Sequence, residues 1–255
     1  MQRKKLTDAD KAKRDAKRAK RAAAEPTAQS AGPTLGTLVT RDDLVRTAGK
    51  STRALITSAT EYVELSARTH LAVISCTTCT APKGCCKLTV AILFHEVLPL
   101  ADRLRREGRD TPEMRAQLAE SADLMESRST QQYRELVRPC VFLDAAERCT
   151  VYEDRPRDCG AAFVFSPPAD CSDPTATEVE TVQPPMDPVR AQLWATEKLV
   201  EQSLGLVRLK GPYMGVLPRM VLLWLEAWDR TDFADYLAER VRTAGERMVA
   251  ATSAR

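Results

Sequence analysis

Eight cysteines in two blocks are the residues of this chain best suited to chemistry. Two thiols spaced as Cys-x-x-Cys can bind one metal ion from a single turn of chain, and a second thiol-bearing segment can complete its coordination. The blocks span residues 76–86 and 140–171, so folding has to bring them together. We predict one metal centre whose candidate ligands are Cys76, Cys79, Cys85, Cys86, Cys140, Cys149, Cys159 and Cys171.

A disulfide framework is the main alternative for an even number of cysteines. Such frameworks belong to short secreted chains with too little core to be stable alone. This chain has 255 residues, of which 44% are hydrophobic, and that is enough for a sizeable core. Its first residues, MQRKKLTDADKAKRDAKRAK, contain no apolar stretch of the kind that directs secretion. We therefore expect a cytoplasmic protein whose thiols bind metal or do redox chemistry.

The N-terminal segment, residues 1–36, is basic and lacks a periodic apolar face. Its first 25 residues carry ten Lys and Arg against four Asp and Glu, so their net charge of +6 leaves the rest of the chain near −3. This composition predicts a disordered tail, followed by a single metal-binding domain over residues 37–251. Weak, nonspecific contact with nucleic acid through the tail is an alternative use of its charge, although the tail has no aromatic residues for stacking.

Apolar residues at helical spacing predict that most of the domain is α-helical. The first helix should begin at the capping sequence Thr40-Arg-Asp-Asp43 and run to about Val73. Its apolar face is formed by Leu44, Ala48, Leu55, Ala59, Tyr62 and Leu65. Further helices are predicted at about 95–107, 111–137, 187–204, 218–228 and 232–250. The helix at 218–228 is apolar on nearly all sides, and we interpret it as a buried core helix that is too short to span a membrane.

The two cysteine blocks are accompanied by short β-forming segments. Lys87–Leu93 predicts a strand, and Val141–Leu143 with Cys149–Tyr152 predicts a hairpin around Asp144–Arg148. The predicted fold class is mainly α with a small β element, in which an irregular cysteine-rich metal-binding core packs on helices.

The vicinal pair Cys85-Cys86 bears on the kind of metal. Successive side chains of an extended segment point in opposite directions, so both thiols are poorly placed to bind one zinc ion unless the backbone turns there. They fit a polynuclear centre, two adjacent sites, or one ligand beside one packing thiol. Eight thiolates are enough for two four-cysteine zinc sites, or for an iron–sulfur cluster with thiols to spare.

Four other residues near the cysteines are candidates for supporting roles. His70 and His95 are the two histidines of the chain, and we expect each to face solvent or cap a helix rather than bind metal. Tyr152 and Arg155 lie between Cys149 and Cys159, where a phenol or a guanidinium could donate hydrogen bonds to thiolates. The alternative for Arg155 is a surface ion pair with Glu153 or Asp154.

Both blocks together resemble a known family. Cys76-x2-Cys79-x5-Cys85-Cys86, followed by Pro139-Cys140-Val-Phe-Leu143, Cys149-Thr-Val-Tyr152-Glu-Asp-Arg155-Pro156 and Cys159, resembles the CxxCxxCC family, also called YkgJ-like, of zinc- or iron-chelating proteins. Cys171 stands where that family often has a further cysteine, and the resemblance covers roughly residues 72–173. It implies a chelating module, with an iron–sulfur cluster favoured over zinc.

The chain departs from the family pattern at two places. Five residues separate Cys79 from Cys85 where the family has two, and Gly160 stands where an arginine is usual. Flagellin lysine methylases share this cysteine pattern, so the resemblance also implies a metal-dependent, protein-modifying enzyme as an alternative function. Our first interpretation is a metal-binding protein that works in metal handling or electron transfer.

Overall fold

The computed structural model describes residues 41–70, 84–161, 163–167, 169–170, 173, 181–182, 186–203, 214–232, 235–237 and 239–244. The predicted tail lies outside these residues, and so do Cys76, Cys79, Cys171 and the side chain of Cys85. The boundary between tail and domain stays a prediction. The other four cysteines are described.

Helices dominate the described residues, and two short antiparallel strand pairs accompany them, which confirms the predicted mainly α fold with a small β element. The α-helices are α1 (Arg41–His70), α2 (Leu98–Arg106), α3 (Pro112–Glu126), α4 (Thr130–Glu135), α5 (Arg157–Gly160), α6 (Met186–Ser203) and α7 (Leu217–Ala227). The strands are β1 (Ala91–Leu93), β2 (Phe163–Val164), β3 (Thr181–Val182) and β4 (Met214–Val216). Helical turns of the 3-10 type occur at Gly84–Lys87, Phe94–Val97 and Tyr152–Asp154.

Helix α1 follows its predicted apolar face over most of its length. Leu44, Ala48, Leu55 and Ala59 are buried as expected, whereas Tyr62 and Leu65 are 41% and 59% exposed. The buried face continues through Val63 and Ala67 instead, because a step of four residues keeps side chains on the face that Ala59 begins. Helix α6 packs against α1, and the Thr196 hydroxyl donates a buried hydrogen bond to the Ser51 hydroxyl at 2.7 Å.

The predicted buried helix is α7, which forms the centre of the core. Nine of its eleven residues are buried, and it packs against α2 and α3. Trp224 is stacked on Phe94 with ring centroids 5.8 Å apart, and its indole N–H donates to the Phe94 carbonyl at 2.7 Å. This bond satisfies the polar atom that a buried tryptophan brings into a core. Among the helices that the structure describes, none has the length and apolarity needed to cross a membrane.

Strand β1 is shorter than predicted. It pairs antiparallel with β4 over three residues, with Ala91 opposite Val216 and Leu93 opposite Met214. Gly84–Lys87, which overlaps the start of the predicted strand, is a 3-10 turn instead. The partner strand comes more than 120 residues later in the chain, so local pattern does not reveal where pairing starts and stops.

Helix α3 begins within one residue of its predicted start, whereas α2 begins three residues later than predicted, and both end earlier than predicted. The Thr111 hydroxyl accepts from the Met114 N–H at 3.2 Å and caps α3. The predicted helix through Val137 breaks after Glu126, because Ser129 starts a new helix through a reciprocal capping box with Gln132. Pro99 lies in the first turn of α2 as predicted, after the 3-10 turn at Phe94–Val97.

Candidate metal centre

Four thiols line a single cavity of about 100 Å³. They belong to Cys86, Cys140, Cys149 and Cys159, each partly buried, and no disulfide joins them to one another. The cavity therefore brings a member of the first cysteine block together with three members of the second, as the sequence predicts for these residues. Cys76, Cys79, Cys85 and Cys171, which the sequence also predicts as ligands, lie outside the described side chains.

Backbone hydrogen bonds hold the first three of these cysteines together. The Cys140 N–H donates to the Cys86 carbonyl at 2.8 Å, which joins the two blocks directly. Leu143 and Cys149 form an isolated antiparallel bridge, and the Thr150 N–H donates to the Phe142 carbonyl at 2.8 Å. The predicted hairpin is thus present as one bridge, closed by a turn in which the Asp144 carboxylate accepts from the Ala146 and Arg148 N–H groups. The turn places Cys140 and Cys149 on the same cavity.

Cys159 comes from the four-residue helix α5, which packs closely on α1. A Cβ built on Gly160 would lie 2.4 Å from Cδ1 and 2.8 Å from Cγ1 of Ile56. Such separations are shorter than real side-chain contacts, so this position has no room for a side chain. The approach of α1 accounts for glycine where the family that the chain resembles usually has arginine.

Replacing Gly160 with alanine should therefore destabilise the fold by about 1–3 kcal/mol, the usual range for overpacking a tight contact. Urea unfolding of the wild type and Gly160→Ala would measure this difference. The loss of stability caused by Gly160→Ala should be smaller in an Ile56→Ala background, because the added alanine methyl group then has space. Equal stability of wild type and Gly160→Ala would show that Ile56 can move away from residue 160 without lowering the free energy of unfolding.

The walls of the cavity are mostly apolar. Leu88, Val90, Leu100, Met125, Phe142, Val151 and Leu217 contribute to them, and the charged residues among the lining are Arg155 and Asp158. Several ionised thiolates in such surroundings would lose hydration and repel one another. A bound cation removes both costs, because it supplies opposite charge and takes the sulfur lone pairs as ligands.

Arg155 lies on the cavity wall with its guanidinium over the Tyr152 ring, 3.6 Å from the ring centroid. Its Nη1 donates to the Cys159 carbonyl at 3.4 Å. Asp154, one of the two acids considered as its surface partner, is instead 3.4 Å from both Arg53 and Arg103. The arrangement favours a supporting role for Arg155 at the thiol cavity over a surface pair with Asp154.

Thr150 links the turn that carries Cys149 to the helical core. Its hydroxyl donates to the Phe142 carbonyl at 2.9 Å and accepts from the Arg109 guanidinium at 2.8 Å. Arg109 follows α2 directly, so this pair of bonds joins the cysteine turn to the loop between α2 and α3.

Thr150→Val keeps the shape of the side chain and removes both bonds. We expect it to lower the free energy of unfolding by about 1–3 kcal/mol, because two side-chain hydrogen bonds are lost, one of them to a charged guanidinium, while the Phe142 carbonyl keeps its bond from the Thr150 N–H. Bound metal should also dissociate faster into excess chelator. Thr243→Val is the matched control, since the Thr243 hydroxyl bonds only the Glu239 carbonyl on an exposed helix surface. An effect no larger than that of the control would rule out this linkage.

Tyr133 and Glu96 were not among the residues that the sequence singled out. Tyr133 is 1% exposed, and burial, followed by the negative charge of Cys140, raises the pKa of its phenol. Glu96 is 1% exposed, and burial raises the pKa of its carboxyl against the opposing effect of two backbone hydrogen bonds. The capping box at Ser129 is the sequence signal that could have placed Tyr133 one turn into a helix ahead of Cys140.

The prediction that His95 faces solvent or caps a helix was wrong. The imidazole is fully buried, and neither ring nitrogen has a hydrogen-bond partner among the described residues. Burial lowers its pKa from 6.5 to about 3, so it is neutral at physiological pH. It stands edge-on to Phe94 with centroids 6.1 Å apart. The turn that contains His95 packs against α1, α2 and α7, and this explains why solvent does not reach it.

The thiol set suits zinc or iron in its chemistry, since thiolates are the usual ligands of structural zinc and of iron–sulfur clusters. Yet within the described part of the chain no three His, Cys, Asp or Glu side chains are grouped closely enough to hold one ion. The four described cysteines line one cavity, and within the described residues they do not form a complete ligand set for one ion.

Comparison with known proteins agrees with this chemistry. Neither a search of curated proteins nor a search of solved structures finds a significant match to the chain. A family model does match, and its matched segment contains all eight cysteines together with α2 to α5. Residues 75–182 match the model of CxxCxxCC, a family described as a putative zinc- or iron-chelating domain.

Proposed function

We propose that this chain holds an iron–sulfur cluster or a zinc centre in its cysteine-lined cavity and works in metal handling or electron transfer. The observation that carries the proposal is the convergence of four cysteines, from four separate short segments, on one mostly apolar cavity. Gathering thiols that form no disulfide with one another has a clear use in binding a soft metal. A reducing compartment such as the cytoplasm would keep those thiols available.

An iron–sulfur cluster is the better candidate for this cavity. A cluster is larger than one ion, so its cysteine ligands stand farther apart than the four thiolates of a zinc tetrahedron. The total of eight cysteines supports the larger group, because a mononuclear site needs only four ligands.

The cysteines and the residues that line the cavity would have different roles. Cys86, Cys140, Cys149 and Cys159 are the proposed ligands from the described part of the chain, and Cys76, Cys79, Cys85 and Cys171 are proposed to complete the set. Arg155 would offset part of the thiolate charge from the wall. The apolar lining would exclude water and protect the centre. A bound cluster would supply one-electron chemistry, whereas bound zinc would supply structural support.

Metal analysis of the full chain tests this proposal. The protein would be purified without oxygen and assayed for iron, acid-labile sulfide and zinc, beside a variant in which Cys86, Cys140, Cys149 and Cys159 are all serine. We expect iron and sulfide in the wild type and neither in the variant. Stoichiometric zinc without sulfide would keep the chelating function and reverse the choice of metal. Equal metal content in the two proteins would overturn the proposed site.

A further inference from the structure

Glu96 makes an unusual pair of contacts in the protein interior. It belongs to the 3-10 turn Phe94–Val97 and is 1% exposed. One carboxylate oxygen accepts from the Leu93 N–H at 3.0 Å, and the other accepts from the Arg157 N–H at 3.0 Å. A single buried side chain therefore joins the end of β1 to the first residue of α5, 61 residues further along the chain.

Helix α5 has no local group that could make this contact. Its N-cap is Pro156, whose side chain carries no hydrogen-bond acceptor, and no side-chain cap bond is formed there. With only four residues, the helix also contributes few bonds of its own. Without the Glu96 carboxylate the Arg157 N–H would lose this partner, and the bond that joins α5 to the turn Phe94–Val97 would be lost.

Cys159 lies two residues after Arg157 and depends on this helix for its position. Its own N–H donates to the Pro156 carbonyl at 3.1 Å, so the bonded turn includes both the residue anchored by Glu96 and the thiol. Gly160 fixes the other end of the turn against Ile56. Between these two anchors the thiol of Cys159 reaches the cavity that Cys86, Cys140 and Cys149 also line.

A buried carboxylate is a costly way to satisfy two N–H groups, because its charge loses hydration. Its advantage is geometric. The two oxygens are fixed relative to each other, so the bonds to Leu93 and Arg157 hold the two segments at a set separation. Outer residues that orient ligands in this way commonly change metal affinity by roughly 10–100-fold when they are replaced.

We infer that Glu96 is a positioning residue for the thiol site: its carboxylate anchors α5 to β1 and thereby fixes where Cys159 meets the other three thiols. The consequence for metal binding rests on the proposed function, whereas the placement of Cys159 does not. Two readouts separate these parts.

The first readout is metal release from the full-length protein, purified without oxygen. Glu96→Gln keeps the size of the side chain and one acceptor oxygen, but it turns an amide N–H₂ toward one of the two N–H donors. We expect metal to be lost to excess chelator about tenfold faster than from the wild type. Combining Glu96→Gln with Cys159→Ser should add little to the effect of Cys159→Ser alone, since both changes act through the same ligand.

Glu201→Gln is the matched control. Glu201 is 4% exposed, lies on α6 and pairs with Lys198 at 3.0 Å, so it is a buried glutamate outside the cavity lining. We expect this variant to release metal at the wild-type rate, whatever its thermal midpoint. If both variants lower the midpoint and neither changes the release rate, Glu96 has a structural role only and the inference fails.

The second readout needs no bound metal. In metal-free protein, thiol alkylation by iodoacetamide would be followed for each cysteine by peptide mass spectrometry. Glu96→Gln should change the rate at Cys159 severalfold and leave the rate at Cys149 within error. Should the wild type prove to bind no metal, the proposed function fails while this labelling still decides the role of Glu96. Equal labelling of Cys159 in wild type and Glu96→Gln overturns the inference.

Discussion

Replacing Cys149 with serine is expected to remove most of the bound metal. A serine hydroxyl stays protonated at neutral pH, whereas a metal ligand at this position has to carry negative charge. Outer residues alone change affinity by roughly 10–100-fold, so loss of a direct ligand should lower affinity by at least about 100-fold. Metal per chain after dialysis against chelator measures the change.

Met125→Leu provides the matched control for this substitution. Met125 also lines the cavity and also carries sulfur, but a thioether cannot become a thiolate. Leucine conserves its volume, so the variant should keep its metal and lose less than about 1.5 kcal/mol of stability. If Cys149→Ser retains metal as well as Met125→Leu does, Cys149 is a packing residue and not a ligand.

Acid should destabilise this protein through His95. Burial lowers the pKa of the folded imidazole from 6.5 to about 3, whereas the unfolded chain keeps the ordinary value. The unfolded state therefore binds more protons between those two values, and stability present above pH 6.5 is lost as the pH falls toward 3. Between pH 7.5 and pH 5 the loss from this one group should be about 2 kcal/mol.

His95→Leu should remove that loss, because leucine fits a buried site without needing a hydrogen-bond partner. Urea unfolding of both proteins at pH 7.5 and pH 5 measures the effect as a difference between variants. Glu96 works in the opposite direction, since a raised carboxyl pKa adds stability as the pH falls toward 4.5, but it is common to both proteins and cancels. Parallel loss of stability in the two proteins would place the acid sensitivity elsewhere, for example in the metal centre.

Local sequence pattern predicted the helices well and their ends less well. Periodic apolar residues identify a helix because the repeat is 3.6 residues, and α6 and α7 begin and end within one residue of the predicted bounds. Where α3 stops depended on a choice between continuing the helix and forming the capping box at Ser129. The free-energy difference between these two alternatives is small. A run of residues with high helix propensity does not show which of them is favoured.

Contacts between distant parts of the chain explain what the sequence did not reveal about the site. The cysteines themselves were evident as candidate ligands from their type and spacing. The bond from Glu96 to Arg157, the burial of His95 and the contact of Gly160 with Ile56 each join segments that lie far apart in sequence or depend on packing from several elements. Such contacts exist only once the helices have packed. They therefore leave no periodicity or spacing in the local sequence from which they could be predicted.

X-ray absorption at the edge of the bound metal would show whether thiols from both cysteine blocks bind one metal centre. Spectra would be recorded on the full-length protein and on Cys86→Ser and Cys149→Ser, one variant from each block. We predict a first shell made of sulfur at about 2.3 Å, altered in both variants, with a further shell of iron if the centre is a cluster. A first shell of nitrogen and oxygen that neither variant changes would contradict the account.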